Sequence, residues 1–260
     1  MSSLSKGKLS LYAGLSRGKM RDKAGLFIVE GRKSVNDLIS LFELEALISL
    51  RGIDISESVA DSSRVYEVSE SEMRKISSMT TVPEVLAIFR KPEQTDEIPV
   101  PEKDKLYLLL DGVRDPGNFG TIVRTAHWFG ISRIYASEDC VDIYNPKTIQ
   151  STMGSLGKIE VVYCNLVQLI SDNKRMPVYG TLLEGENIYE ATLKEHGFIV
   201  MGNEGKGISD EVRSLVTNPV LIPPFDKLNH SESLNVATAT AAVLAIFRKN
   251  HFTEGRNASG

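Results

Sequence analysis

Three separated segments place amides, a carboxylate, an arginine and small residues where apolar runs end. In DPGNFGTIVRTA (115 to 126), Asn118 and Arg124 stand six residues apart. In IVMGNEGKGIS (199 to 209), Gly202, Asn203, Glu204, Gly205, Lys206 and Gly207 follow an apolar stretch. In LIPPF (221 to 225) and SESLNVATATAA (231 to 242), Ser233 and Asn235 open a run of Ala, Thr and Val. The ends of strands in an open α/β sheet are where such folds bind ligands. Pro116 and Gly117 predict a turn, and Asn118 suits a helix N-cap. On a helix, Asn118 and Arg124 are nearly two turns apart, so they flank one end of a ligand rather than touch, with Thr121 and Thr125 on the same side. The three glycines of the second segment let backbone approach a ligand closely and leave N–H and C=O groups facing it, as recognition of an adenine edge requires.

Each residue also has a plainer reading. Arg124 can bridge its helix to Asp115, Glu204 can be a loop carboxylate in water, and His230 is mainly a loop histidine. His127 and Trp128 suit a helix face or a dimer contact. Cys140 and Cys164 have no CxxC pair or nearby His, so they read as buried thiols, and no metal cluster is apparent. Gly112, Gly117 and Gly120 in DGVRDPGNFG are spaced wrongly for GxGxxG, and GNEGKGIS does not satisfy GxxxxGK[ST]. A nucleotide-dependent enzyme therefore fails on its missing phosphate loop.

The elements that must position these residues follow from hydrophobic periodicity. Residues 91 to 105, KPEQTDEIPVPEKDK, read as an extended linker and imply two domains. Upstream, GLFIVEG, ELEALISL, VYEVS and VLAIF read as strands, with RKSVNDLISLF and SESEMRKISSM as helices. Downstream, KLYLLLD feeds a helix from about Asn118 to Phe129. Strands SRIYAS, IEVVYC, PVYGTLL, FIVMGN and PVLIP then alternate with helices near 147 to 155, 165 to 172, 187 to 195 and 208 to 216, and a last helix runs from near Ser233 to about Lys249. This pattern predicts an α/β fold: a small α/β sandwich over residues 1–91, a linker over 92–105, a mostly parallel sheet covered on both faces over 106–250, and a loose tail over 251–260.

The chain has 260 residues and a formal net charge of −4. A negative sum argues against nucleic acid, yet Lys6, Lys8, Arg17, Lys19, Arg21, Lys23, Arg32 and Lys33 crowd the first thirty-odd positions against only Asp22 and Glu30. This local basic surface is either an RNA contact, with Lys19, Arg21, Lys23 and Arg32 foremost, or a solvated N-terminus. No apolar stretch is long enough to cross a bilayer, and MSSLSKGKLS lacks the apolar run of a secretion signal, so the cytoplasm is the expected compartment.

In order and wording, the three segments resemble the signatures of the SpoU (TrmH-like) RNA ribose 2′-O-methyltransferases of the SPOUT class, a likeness that covers most of residues 106 to 248. FIVEG and its surroundings are similar to the L30e-like substrate-binding domain of many such enzymes. The resemblance implies S-adenosyl-L-methionine as cofactor, a C-terminal trefoil knot and a homodimer with residues of both subunits near the site; from the residues themselves, no metal or membrane partner is expected. It makes Asn118, Arg124, Glu204, Ser233 and Asn235 catalytic. It places Thr181, Leu182, Gly202, Asn203, Gly207, Ile222 and Leu234 around the cofactor. Arg124 either accepts the ribose proton or positions the neighbouring phosphate. The segment FDKLNHSE departs from the family's short glycine-containing loop. An L30e-like domain favours 23S ribosomal RNA as substrate, with transfer RNA as runner-up. A non-catalytic ribosome-assembly factor has no need of all five catalytic residues.

Overall fold

Alternating apolar and helical stretches fold into two units, each with its own sheet. The computed structural model describes residues 2–55, 62–93, 97–226, 228, 231 and 233–249. The expected tail, His230 and residues 94–96 of the expected linker lie outside these described residues.

The first unit comprises Met1–Thr95 together with Asp142–Gly157. In chain order it has β1 (Ser2–Ser3), α1 (Lys6–Gly14), α2 (Gly18–Ala24), β2 (Leu26–Glu30), α3 (Arg32–Leu38), β3 (Leu44–Leu50), β4 (Val65–Val68), α4 (Glu70–Ile76) and β5 (Val85–Arg90). The sheet order is β1-β4-β3-β5-β2, mixed parallel and antiparallel. Ser69 and Glu72 form a reciprocal capping box that starts α4. The cationic N-terminal segment, which carries no periodicity to announce helices, forms α1 and α2 because Tyr12 and Leu15 bury fully in the core.

The second unit, Asp96–Val141 and Lys158–Gly260, opens with β6 (Leu106–Leu110), α5 (Pro116–Trp128) and β7 (Arg133–Ala136). Helix α6 (Pro146–Thr152) belongs to the first unit. The second resumes with β8 (Glu160–Tyr163), α7 (Leu166–Asp172), β9 (Val178–Asn187), β10 (Gly197–Met201), α8 (Asp210–Arg213), β11 (Asn218–Leu221) and α9 (Val236–Phe247). Its six strands are all parallel, in the order β11-β9-β10-β6-β7-β8. Every residue of β6 and β10 is buried, as their unbroken apolar runs predict.

Four sequence expectations change. Residues 142–157 fall in the first unit, held there by the Arg21–Asp142 ion pair at 2.7 Å and by the Tyr144 ring 4.7 Å from that of Phe27. The helix expected near 187–195 is a turn: β9 continues to Asn187, Ile188 donates its N–H to the Leu221 carbonyl, and the Asn187 side chain donates to Glu190 at 2.9 Å. The helix expected over 208–216 shortens to α8. Within the expected linker, residues 97–105 are pinned, since Tyr135 Oη donates to the Pro99 carbonyl at 2.7 Å and Glu102 N–H to Tyr107 Oη at 2.9 Å. Cys140 and Cys164 are buried free thiols, and burial pushes Cys164 up to about 11. Among the described residues, no helix is long and apolar enough to cross a membrane.

Candidate active site

Strand order locates the site. After β6 the chain builds β7 and β8 on one side, then crosses to place β10, β9 and β11 on the other. The carboxyl ends of β6 and β10 are thus neighbours at the point where winding reverses, the position at which open α/β sheets bind ligands. The first signature segment leaves β6 and the second leaves β10.

Local chemistry shapes each segment. Asp115 caps α5 by accepting the Asn118 N–H at 2.8 Å, and Pro116 occupies the first helical turn where its missing N–H is harmless. The loop after β10 folds around Asn203. Its Oδ1 accepts the N–H groups of Gly205 and Lys206 at 3.0 Å, its backbone exchanges two 2.9 Å bonds with Gly207, and its Nδ2 donates to the Gly112 carbonyl at 2.7 Å. Gly202 permits this closure: a Cβ there would lie 2.2 Å from the Gly207 carbonyl carbon. Buried Asp111 fixes the other side by accepting the Ser209 N–H at 2.7 Å.

A relay of amides joins the three segments. Asn235 caps α9, its Oδ1 accepting the N–H groups of Ala237 and Thr238 at 3.0 and 3.2 Å. With its oxygen committed to the helix, Asn235 turns Nδ2 to the Asn118 Oδ1 at 2.8 Å. Asn118 in turn points Nδ2 at Glu204 Oε1, 3.0 Å away. The α9 N-terminus therefore dictates the orientation of two amides and one carboxylate in series, and each bond polarises the next.

The other expected residues lie around this relay. Arg124 is exposed on α5 and, among the described residues, has no hydrogen-bond or ion-pair partner; the bridge to Asp115 is not made. Thr121 and Thr125 turn their hydroxyls back to the Gly117 and Thr121 carbonyls at 2.8 Å. Ser233 is exposed and its carbonyl accepts from Ser231 at 3.3 Å, outside the relay; α9 begins after Asn235, not at Ser233. Thr181 and Leu182 on β9 are half-buried, Ile222 directly follows β11, and Leu234 is 50% exposed. Thr181 and Leu182 thus lie within β9, between β10 and β11, after which stand Gly202 with Gly207 and Ile222.

A second network is not foreseen from sequence. Ser137 Oγ accepts the Gly112 N–H at 2.8 Å and donates to Asp139 at 2.6 Å, and Arg114 meets the other oxygen of Asp139 at 2.6 Å. The Ser137 hydroxyl, then the Arg114 guanidinium, hold the Asp139 carboxyl below the usual carboxylate range. The only sequence signal is an Asp, Ser and Arg near strand ends.

In the first unit, Lys19 and Lys23 are exposed, and exposed Arg32 donates to the Asp54 carbonyl at 2.9 Å. Arg21 is a correction to the basic cluster. It is 2% exposed, pairs with Asp142, and donates to the Leu15 and Ser16 carbonyls at 3.0 Å, so its charge faces inward. Among the described residues, no group of three or more His, Cys, Asp or Glu could hold a metal ion.

Known proteins are similar to this chain in sequence and fold. A Bacillus subtilis 23S rRNA (guanosine(2553)-2′-O)-methyltransferase, RlmP, is 28% identical over 91% of this chain and 94% of its own. A TrmH-family protein from Porphyromonas gingivalis is 35% identical with a TM-score of 0.84, covering 96% of this chain and 100% of that one. An AdoMet-bound rRNA methyltransferase from Sinorhizobium meliloti is 28% identical with a TM-score of 0.83 over 96% and 97% of the two chains. Residues 11–87 match the MRM3-like substrate binding domain. Residues 105–245, which hold all three signature segments, match the SpoU rRNA methylase family, and the chain belongs to that family.

Proposed function

We propose that this protein transfers a methyl group from S-adenosyl-L-methionine to the 2′-hydroxyl of a ribose in 23S ribosomal RNA. The observation that carries the proposal is the Asn235–Asn118–Glu204 relay at the switch point of the parallel sheet. The substrate reading is supported by likeness to RlmP over nearly the whole of both chains.

The residues present fit the cofactor. Half-buried Leu182, within β9, and Ile222, just after β11, offer apolar surface, and the turn after β10 has open space beyond its positive-φ Gly207. Thr181, Gly202, Asn203 and Leu234 complete the expected wall. Bound there, the sulfonium supplies an activated methyl carbon, so that an O–C bond forms as the C–S bond breaks. The protein's own task is alignment and loss of one proton. Glu204, held by Asn118, and Ser233 face the donor and acceptor. Arg124 offers a planar fork of donors to the phosphate beside the acceptor ribose, whose hydroxyl proton leaves to that phosphate or to water.

Two further features belong to this reading. Arg124 and the 82% exposed Trp128 share the outer part of α5, where a second copy would cover the indole and bring Arg124 to the partner's site as a two-fold homodimer. After β11 at the sheet edge, the chain returns across β9 and β10 to seat Asn235 against Asn118, the course a C-terminal trefoil knot needs.

Ribose-methylation maps of rRNA from cells with and without the gene test the function, with complementation by Arg124→Ala testing the site. One 23S mark should vanish without the gene, and the variant should restore it at a rate lowered by about 100-fold or more. Full restoration by Arg124→Ala would remove that residue from the mechanism. Calorimetry with S-adenosylhomocysteine separates a binder from an enzyme: no heat would favour an assembly factor.

A further inference from the structure

The first unit contains a cleft of about 490 Å³ whose lining includes Met79, Thr80, Thr81, Asn145, Lys147 and Gln150. Its size lies in the range of ligand sites, roughly 300 to 1,000 Å³. The walls are held in place. On one side, the loop after α4 is anchored by the Glu30 carboxylate, which accepts the Ser78 N–H at 3.0 Å and the Ser78 hydroxyl at 2.5 Å, together with the Ser77 hydroxyl. On the other side, Asn145 caps α6 by accepting the Lys147 N–H at 2.9 Å.

Within this fixed frame, the side chains of Thr80, Thr81, Lys147 and Gln150 have no hydrogen-bond or ion-pair partner among the described residues. Two hydroxyls, one amide and one ammonium are thus offered to something outside the protein. Hydroxyls and amides both donate and accept, which suits the edge of a nucleobase and a ribose hydroxyl. Half-buried Met79 presents an apolar face that a base plane can lie against, and the single lysine matches a single phosphate. Among the described lining residues there is no carboxylate, although the chain as a whole is acidic.

We infer that this cleft seats one unpaired nucleotide of the RNA substrate, its base against Met79 and its phosphate at Lys147. The inference rests on the reading of the protein as an RNA methyltransferase and adds a second point of attachment, carried entirely by the first unit. Segment 142–157 is essential to it: the helix that supplies Pro146, Lys147 and Gln150 comes from the sequence between β7 and β8.

The test uses full-length protein and a 23S rRNA transcript substituted with 4-thiouridine. After irradiation, cross-links should appear on the peptides carrying Met79 and Lys147. Thr80→Trp, which fills the cleft, should lose these cross-links and weaken transcript binding by about tenfold or more. Lys147→Ala, at an exposed position, should weaken binding a few-fold and make its salt dependence shallower by about one unit of slope. Neither variant should alter thermal stability or S-adenosylhomocysteine binding. If wild type binds the transcript while both variants bind it equally well and cross-links map elsewhere, the cleft assignment is wrong and the proposed activity stands. If wild type binds no RNA, both fall. Should Thr80→Trp fail to fold, Lys147→Ala and the cross-link map decide.

Discussion

Asn118 and Asn235, 117 positions apart in sequence, are joined by a 2.8 Å hydrogen bond in which Asn235 donates and Asn118 accepts. The direction of that bond has a structural cause. Asn235 must keep its oxygen on the N–H groups of α9, so only its amide nitrogen is available to Asn118.

Asn235→Asp separates capping from relay. Aspartate caps a helix as well as asparagine does, but its ionised side chain cannot donate. Stability should therefore stay within about 0.5 kcal/mol of wild type, whereas Asn235→Ala should lose about 1 kcal/mol. Both variants should slow methyl transfer at least about tenfold, by releasing Asn118 and hence Glu204. Asn118→Ala combined with Asn235→Asp should be no slower than either alone, because both break the same relay. Full activity in Asn235→Asp would show that the relay does not serve the reaction.

The basic N-terminal residues divide by burial. Arg21→Ala should destabilise the first unit by about 3 kcal/mol, since it strands Asp142 and two carbonyls; the value sits at the low end for buried pairs because the Asp142 side chain is 30% exposed. Arg21→Lys should recover little, as one ammonium cannot reproduce the fork that reaches a carboxylate and two carbonyls. Lys19→Ala and Lys23→Ala, both at exposed positions, should leave stability unchanged and instead weaken RNA binding with a shallower salt slope. Chemical denaturation and a salt titration of RNA binding distinguish the two classes. A stable Arg21→Ala with weakened RNA binding would return that residue to the contact surface.

The same contrast explains what sequence could and could not reveal. Strands β6 and β10 were legible because strands buried on both faces are continuous apolar runs, and the polar residues that end them identified the site. Lys19 and Arg21 look alike in sequence; only the packing of Tyr12 and Leu15 decides that one of them turns inward. The segment 187 to 195 has helical composition, yet pairing with β11 carries β9 to Asn187 and leaves room for a turn alone. Sequence places the opening of the last helix near Ser233, two residues early. Asn235 takes the cap because its longer side chain reaches two N–H groups and still has an amide left for Asn118.

Asp139 makes the loop that begins the active-site segment sensitive to acid. Its carboxyl is held below the usual range by the Ser137 hydroxyl first and the Arg114 guanidinium second, and Ser137 in turn receives the Gly112 N–H. A carboxyl lowered in the folded state contributes stability above its unfolded value, about 3.9, and loses it as pH falls through the folded value. The carboxylate is half-exposed, so the contribution is under about 1 kcal/mol. The stability difference between wild type and Asp139→Asn should accordingly be constant from neutral pH down to about pH 5 and shrink below about pH 4. Denaturant unfolding across this range measures it. A difference that persists unchanged at pH 3 would mean that the carboxylate charge does not hold the loop, and that Ser137 alone fixes Gly112.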